Sequence, residues 1–314
     1  MFKNSLAGLL NTSSELRNLL ILIFASYGGL SAQGIHNLEI PKSKSLGSVI
    51  SHKAYTLEYN ETHEQASWVA YVLTKEKTIR VVERSNKFLP DPLVKTGSAE
   101  NGDYSKSGYD RGHLAPAADM GWSAVTMAES FYYSNMSPQV PAFNRGIWKR
   151  TEELVRTWAI AYDSLYIVTG PVLNGNLPSI GSNHVSIPNY YYKVILDYHH
   201  PEVKAIGIIM PNAASSELIQ HFAVSVDSVE HLTGIDFFPL LNDAEESKLE
   251  KQLCITCWQW DAHSSNSGSV SPHKDSEKSP NQAGVAVQCT GTTKSGNPCK
   301  RMTKDADQRC YQHK

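Results

Sequence analysis

Asp110-Arg111-Gly112-His113-Leu114-Ala115-Pro116 places an acid, a base, a turn-permissive glycine and an imidazole in four consecutive positions, directly after the Gly- and Ser-rich stretch 97–108. That density beside a loop suggests a site, because a neutral His takes a proton from water near pH 7 when its second ring nitrogen is held. Alone, the run reads equally well as a surface ion pair beside a structural His. The next stretches change the odds: Phe131-Tyr-Tyr-Ser134-Asn135-Met-Ser-Pro-Gln139, then Phe143-Asn144-Arg145-Gly146-Ile147-Trp148-Lys149-Arg150-Thr151-Glu152. Ile147, Trp148, Leu154, Val155 and Trp158 recur at helical spacing and predict a helix from about Asn144 to Tyr162. If Asn144 begins that helix, Glu152 stands about 80° around it, and both side chains can point to one side. An Asn carbonyl is a neutral, hard oxygen ligand, and Mg²⁺ commonly takes one or two protein ligands while accepting phosphate oxygens from a substrate. In outline this is a phosphodiester site. The plainer alternative is an Asn144 that caps the helix and a Glu152 that is a solvated charge.

Outward from this centre the chain reads as α+β, with a mixed, largely antiparallel central sheet and flanking helices. Tyr55–Tyr59 and Trp68–Thr74 carry the aromatic and β-branched residues of strands, as do runs 164–169, 189–198 and 203–210. His199-His200-Pro201-Glu202 joins the last two as a hairpin would. Helical patterns occupy 123–133 and 225–233, the second opened by the capping Ser225 and stopped by Gly234.

The whole chain has 314 residues, 41% hydrophobic and 19% charged, with 15 Tyr and 6 Trp, enough to bury a core and inconsistent with a disordered or fibrous protein. Lys plus Arg number 29 against 31 Asp plus Glu, so no global positive field draws the chain to a polyanion. A site for nucleic acid must be local. All five cysteines lie beyond residue 250, which leaves most of the body without a disulfide framework. Cys254 and Cys257 either pair or sit in the last packed strand or helix; their small spacing says little, and the second, plainer role is expected.

Asp110-Arg-Gly-His113, Ser134-Asn-Met-Ser-Pro-Gln139 and Phe143-Asn-Arg-Gly-Ile-Trp148 through Glu152 together resemble the DNA/RNA non-specific endonucleases of the ββα-metal superfamily. That group contains the secreted bacterial sugar-non-specific nuclease and mitochondrial endonuclease G. The resemblance runs from about Tyr55 to Leu241 and includes Leu232-Thr-Gly-Ile-Asp-Phe-Phe-Pro239. It implies a ββα-metal motif, His113 as general base, Asn144 as direct Mg²⁺ ligand and Glu152 orienting a water of that ion, with Mn²⁺ as a substitute metal. It also implies Asn135 as an active-site Asn, Asp110 and Arg111 as residues that shape the site, and an upstream Arg that clamps phosphate, for which Arg84 is the nearest match. Arg145 is a second candidate for substrate contact. DNA and RNA are the implied substrates, cut to leave 5′-phosphate and 3′-hydroxyl ends. The reading requires His113 and Asn144 to face one cavity.

The ends add two expectations. Lys3 and Arg17 precede a short apolar run from Leu19, too short to span a bilayer, and Leu30-Ser31-Ala32 precedes Gln33 as at a signal-peptidase site. Residues 1–32 are therefore expected to be a signal peptide, with export to the periplasm or medium and no stable membrane insertion after cleavage. Residues 33–52 read as an N-terminal extension, 53–260 as the endonuclease domain, 261–287 as a flexible linker and 288–314 as a Cys/His-rich tail. In the tail Cys289, Cys299, Cys310 and His313 offer the three sulfurs and one imidazole of a structural Zn²⁺ site, with disulfide pairing as the alternative. Against the enzyme stand two other classes: an inactive nucleic-acid or envelope binding protein on a nuclease scaffold, and a phosphodiesterase for small substrates. The filled His, Asn and Glu positions argue against the inactive scaffold. Nothing in the composition sets an oligomeric state.

Overall fold

In the computed structural model the described residues are 35–43 and 47–260, together with 287–288, 290–292, 299 and 302–303 near the C-terminus. Strand β1 (Ser48–Ser51), β2 (Thr56–Asn60) and β3 (Gln65–Thr74) form a meander. β4 (Asp110–His113) and β5 (Met136–Gln139) pair only with each other, with helix α1 (Ala124–Glu129) between them. Helix α2 (Lys149–Ala161) leads into β6 (Ser164–Pro171), β7 (Tyr190–Asp197), β8 (Lys204–Pro211) and β9 (Ala223–Val224). Helices α3 (Val226–Thr233) and α4 (Asp243–Lys251) follow. The central sheet has the order β9-β8-β7-β6-β3-β2-β1, and every pairing in it is antiparallel.

Alternation along the strands separates two cores. Val69, Tyr71, Leu73, Ile167, Tyr191 and Ile195 face one way; Trp68, Ala70, Val168, Tyr192, Val194 and Leu196 face the other. This is the period of two expected of a strand whose two faces are both covered. Helix α2 covers the first face with Leu154, Val155 and Trp158, and α3 and α4 cover the second with Val226, Val229 and Leu249. Each aliphatic chain so buried stabilises the fold by roughly 1.5–3 kcal/mol. Ser123 and Ser225 cap α1 and α3 by accepting from Thr126 N and Ser228 N, and Gly234 ends α3 in the left-handed region at φ 71°.

Four sequence expectations change here. Residues 35–51 are not an appended extension: β1 is the edge strand of the sheet and Leu38 is fully buried in the second core, because its apolar chain completes the cover over that face. The helix from Asn144 is not continuous. A turn over Pro141–Phe143 passes into a π-turn over Asn144–Trp148, where Gly146 leaves the helical region (φ −104°, ψ −111°), and the regular helix begins only at Lys149. Asn144 is therefore no N-cap. Cys254 and Cys257 are joined as a disulfide, the short helical turn Ile255–Cys257 bringing their Cα atoms to 5.4 Å. The pair β4–β5, unread in the sequence for want of apolar alternation, is the two-stranded ribbon that carries the imidazole.

The chain divides into two compact units, residues 1–263 and 264–314. In the second, Val287–Gln288 pairs antiparallel with Met302–Thr303, and the buried Cys299 donates its backbone N–H to Gly291 O at 2.9 Å. Cys289, Cys310 and His313, with residues 1–32, lie outside the described residues. Among the described residues no helix is long and apolar enough to cross a membrane.

Candidate active site

The ribbon owes its close pairing to Gly112. It stands opposite Ser137, and a Cβ on it would meet the Gln139 side chain at 2.2–2.5 Å. His113 ends β4 opposite Met136 and is 8% exposed. Behind it, Asn135 accepts from Ala115 N (2.9 Å) and donates to Ala115 O (2.9 Å) and Ser130 O (2.8 Å), pinning the chain that leaves the imidazole. Fully buried and committed to backbone groups, Asn135 positions this loop and does not line the cavity.

The His113 ring packs edge-on against Phe131, with centroids 4.8 Å apart, and lies 5.9 Å from Phe88. Its Nε2 is buried and has no hydrogen-bond partner. Burial, with the Arg84 charge adding to it, pushes the imidazole down to about 3, so the ring is neutral at ordinary pH. An orphaned buried nitrogen costs free energy, and such groups persist where a ligand or a reaction uses them.

Asn144 reaches the same place from the π-turn. Its Nδ2 donates to Asp110 Oδ2 at 2.8 Å, and Arg145 forms a two-pronged pair with the same carboxylate, Nε to Oδ2 at 2.8 Å and Nη2 to Oδ1 at 2.5 Å. Asp110 on the ribbon thereby ties down the turn and aims the Asn144 amide. With Nδ2 held by Asp110, Oδ1 is the atom available to a cation.

His113, Asn144 and Glu152 line one cavity of about 370 Å³ together with Arg84, Arg111 and Arg145. Arg84 spans it from a different segment, its guanidinium 4.9 Å above the Phe131 ring that also supports His113. Arg111 lies 4.3 Å over Phe88 and donates to Asn101 Oδ1 at 2.7 Å. Of the residues expected at a site, Asn135 and Asp110 stand apart from the lining, and Asp110 acts through Asn144 and Arg145.

Four groups were not read from the sequence. Lys149 and Arg156 also line the cavity, and they flank Glu152 at helical spacing, a signal that was there to find. Arg156 pairs with the buried Asp119 at 2.7 Å, and Asp119 also accepts from Tyr71 OH at 2.9 Å. Lys193 breaks the apolar alternation of β7. It is buried with Nζ 4.3 Å from the Trp148 ring centroid and donating to Thr169 Oγ1 at 3.2 Å. Burial raises the Glu152 carboxyl and lowers the Lys193 ammonium, while each one's charge opposes the shift of the other.

The donor set suits a small hard dication: one amide oxygen and one carboxylate, with room for water and a phosphate oxygen. Five cationic side chains line the cavity against the single carboxylate of Glu152, in a chain of formal net charge −2. The required positive field is therefore local, and it focuses where low-dielectric walls strengthen it.

Residues 36–244 match the sequence profile of the DNA/RNA non-specific endonuclease family. Mitochondrial nuclease EXOG of Danio rerio is 35% identical over 212 residues, covering 62% of each chain. Mitochondrial endonuclease G of Bos taurus is 35% identical over 204 residues, 60% of this chain and 68% of that one. Nuclease C1 of Cunninghamella echinulata var. echinulata is 35% identical over 213 residues, 62% of this chain and 83% of that one. The matched part thus spans about three fifths of the length of the EXOG relative. A chain in the crystal structure of the EndoG/EndoGI complex superposes with a TM-score of 0.60 at 34% identity, covering 63% of this chain and 88% of that one. With the profile spanning the sheet, the ribbon and the cavity, the chain belongs to the DNA/RNA non-specific endonuclease family.

Proposed function

We propose that this chain is a Mg²⁺-dependent, sequence-non-specific endonuclease that hydrolyses phosphodiester bonds of DNA and RNA. The observation that carries the reading is one cavity lined by His113, Asn144, Glu152 and a ring of guanidinium groups. Asn144 Oδ1 would hold the metal, Mg²⁺ or in its place Mn²⁺, with Glu152 orienting a water on it; when bound, the metal supplies positive charge at the scissile phosphate.

The neutral His113 ring takes the proton of the attacking water. The ring's low basicity is partly the work of Arg84, and an incoming phosphate anion offsets that charge, raising the proton affinity when substrate is present. Arg84 holds the phosphate, Arg145 contacts the backbone, and Arg111 shapes the wall from its perch on Phe88. Asn135 and Asp110 act as positioning residues for the His113 loop and the Asn144 amide. Cleavage leaves a 5′-phosphate and a 3′-hydroxyl. The lining holds cations and the small residues Pro116, Ala117 and Ala118, which engage phosphate and offer little to read base edges, so sequence preference is low.

Incubation of the purified chain with plasmid and with RNA, in Mg²⁺ and then in EDTA, tests the proposal. Metal-dependent smearing of both substrates, lost in His113→Ala, is expected. Binding without cleavage would make the chain an inactive scaffold, and hydrolysis restricted to small phosphodiesters would reassign its substrate.

A further inference from the structure

A second cluster of carboxylates lies on the other side of the central sheet, among the elements that cover its second core. Asp236 follows α3, and Glu246 and Glu250 lie one helical turn apart on α4. One carboxylate oxygen from each of these three lies within 4.8 Å of the others. Oxygens within that limit can share one cation, and several carboxylates from separate elements are the ligands that Ca²⁺ takes at about 2.3–2.6 Å, whereas Mg²⁺ keeps most of its waters.

An acidic cluster by itself signifies nothing, but two buried oxygens here lack any partner. Glu250 is 8% exposed and its Oε1 makes no hydrogen bond; Glu246 Oε1 is likewise buried and unpartnered. No Lys, Arg or His among the described residues is ion-paired with Asp236, Glu246 or Glu250. Glu230 of α3 adds a further negative charge. Its carboxyl is in hydrogen-bond contact with that of Glu250 and accepts from Phe237 N at 2.8 Å. Burying a carboxylate oxygen without a donor costs several kcal/mol unless a proton or a cation compensates. A shared proton can serve the Glu230–Glu250 contact. It leaves Glu246 Oε1 without a donor, beside the Asp236 carboxylate group of the same cluster.

We infer that Asp236, Glu246 and Glu250 form a structural site for a divalent cation of Ca²⁺ size, separate from the cavity of His113 and Asn144, that clamps α4 to α3 over the second core. The donor set is oxygen only, which suits Ca²⁺ and excludes a preference for Zn²⁺ or Cu²⁺.

The test uses the full chain carrying Asn144→Ala, so that uptake at the proposed catalytic metal site does not contribute. After EDTA treatment and dialysis, CaCl₂ is expected to bind with one equivalent at this site by equilibrium dialysis and to raise Tm by roughly 5 °C or more at saturation. Adding Glu250→Gln should abolish both responses. Adding Asp236→Asn, a change at an exposed position that leaves the core untouched, should weaken Ca²⁺ binding at least tenfold. Without Asn144→Ala, Glu250→Gln should cleave DNA in Mg²⁺ as the unaltered chain does. Absence of Ca²⁺ uptake and of any Tm shift in Asn144→Ala protein would overturn the inference, as would a response undiminished by either added substitution.

Discussion

His113 meets two opposing demands: a ring buried against Phe131 for orientation, and a place in the cavity lining where it can take a proton. Replacing it with Ala should lower the rate by about 10²–10⁴-fold, the usual share of a positioned general base, with the far-UV spectrum unchanged. Asn144→Ala should instead shift the Mg²⁺ concentration needed for half-maximal rate, which a metal titration of initial rates would read. Burial of the neutral ring also has a consequence for stability. An unfolded His takes up its proton near pH 6.5, whereas in the folded chain it does so only near 3. The unfolded state thus binds more protons between those values, and acidification from about 6.5 downward weakens the fold by up to ~1.4 kcal/mol per pH unit, with no such loss above pH 7. Urea unfolding at pH 7.5 and 5.5 should show a smaller drop for His113→Asn than for the unaltered chain.

At the scale of elements, the ribbon and the π-turn do what a continuous helix could not. Gly112 lets β4 lie against the Gln139 side chain, so Gly112→Ala should cost about 1–3 kcal/mol by overpacking. Part of that cost should vanish when Gln139 is also cut to Ala, a coupling that a double-mutant cycle measures. Helix α2 is anchored through Arg156 to Asp119, whose side chain is 1% exposed. Arg156→Ala strands that carboxylate, and a loss of about 3 kcal/mol is expected in denaturant unfolding. The strands of the central sheet were legible because alternation on two covered faces leaves a strong apolar record. The ribbon was not: its residues serve polar contacts, and a two-stranded piece with Gly and Pro carries no such pattern. The break at Gly146 was equally hidden, since it lies just ahead of the apolar spacing that runs from Ile147 to Trp158 and leaves no mark on it.

Across the whole molecule, the near-neutral charge conceals a cavity lined by five cations, while the surface elsewhere compensates. The Cys254–Cys257 disulfide accords with an oxidising compartment and with the export that the first 32 residues suggest. Protein recovered from outside the cell should begin at Gln33 by N-terminal sequencing; an intact Met1 there would contradict that cleavage. From its order of residues alone, this protein declared its sheet strands, its chemistry-bearing motifs and the need for a local anion site, because periodicity and residue type are properties of short range. Only the tertiary structure decided which side chains share the cavity, that Asn135 and Asp110 serve as supports behind it, and that Lys193 and Arg156 enter its electrostatics. Those outcomes depend on where distant strands and turns meet, and on burial that strengthens charges once water has been excluded.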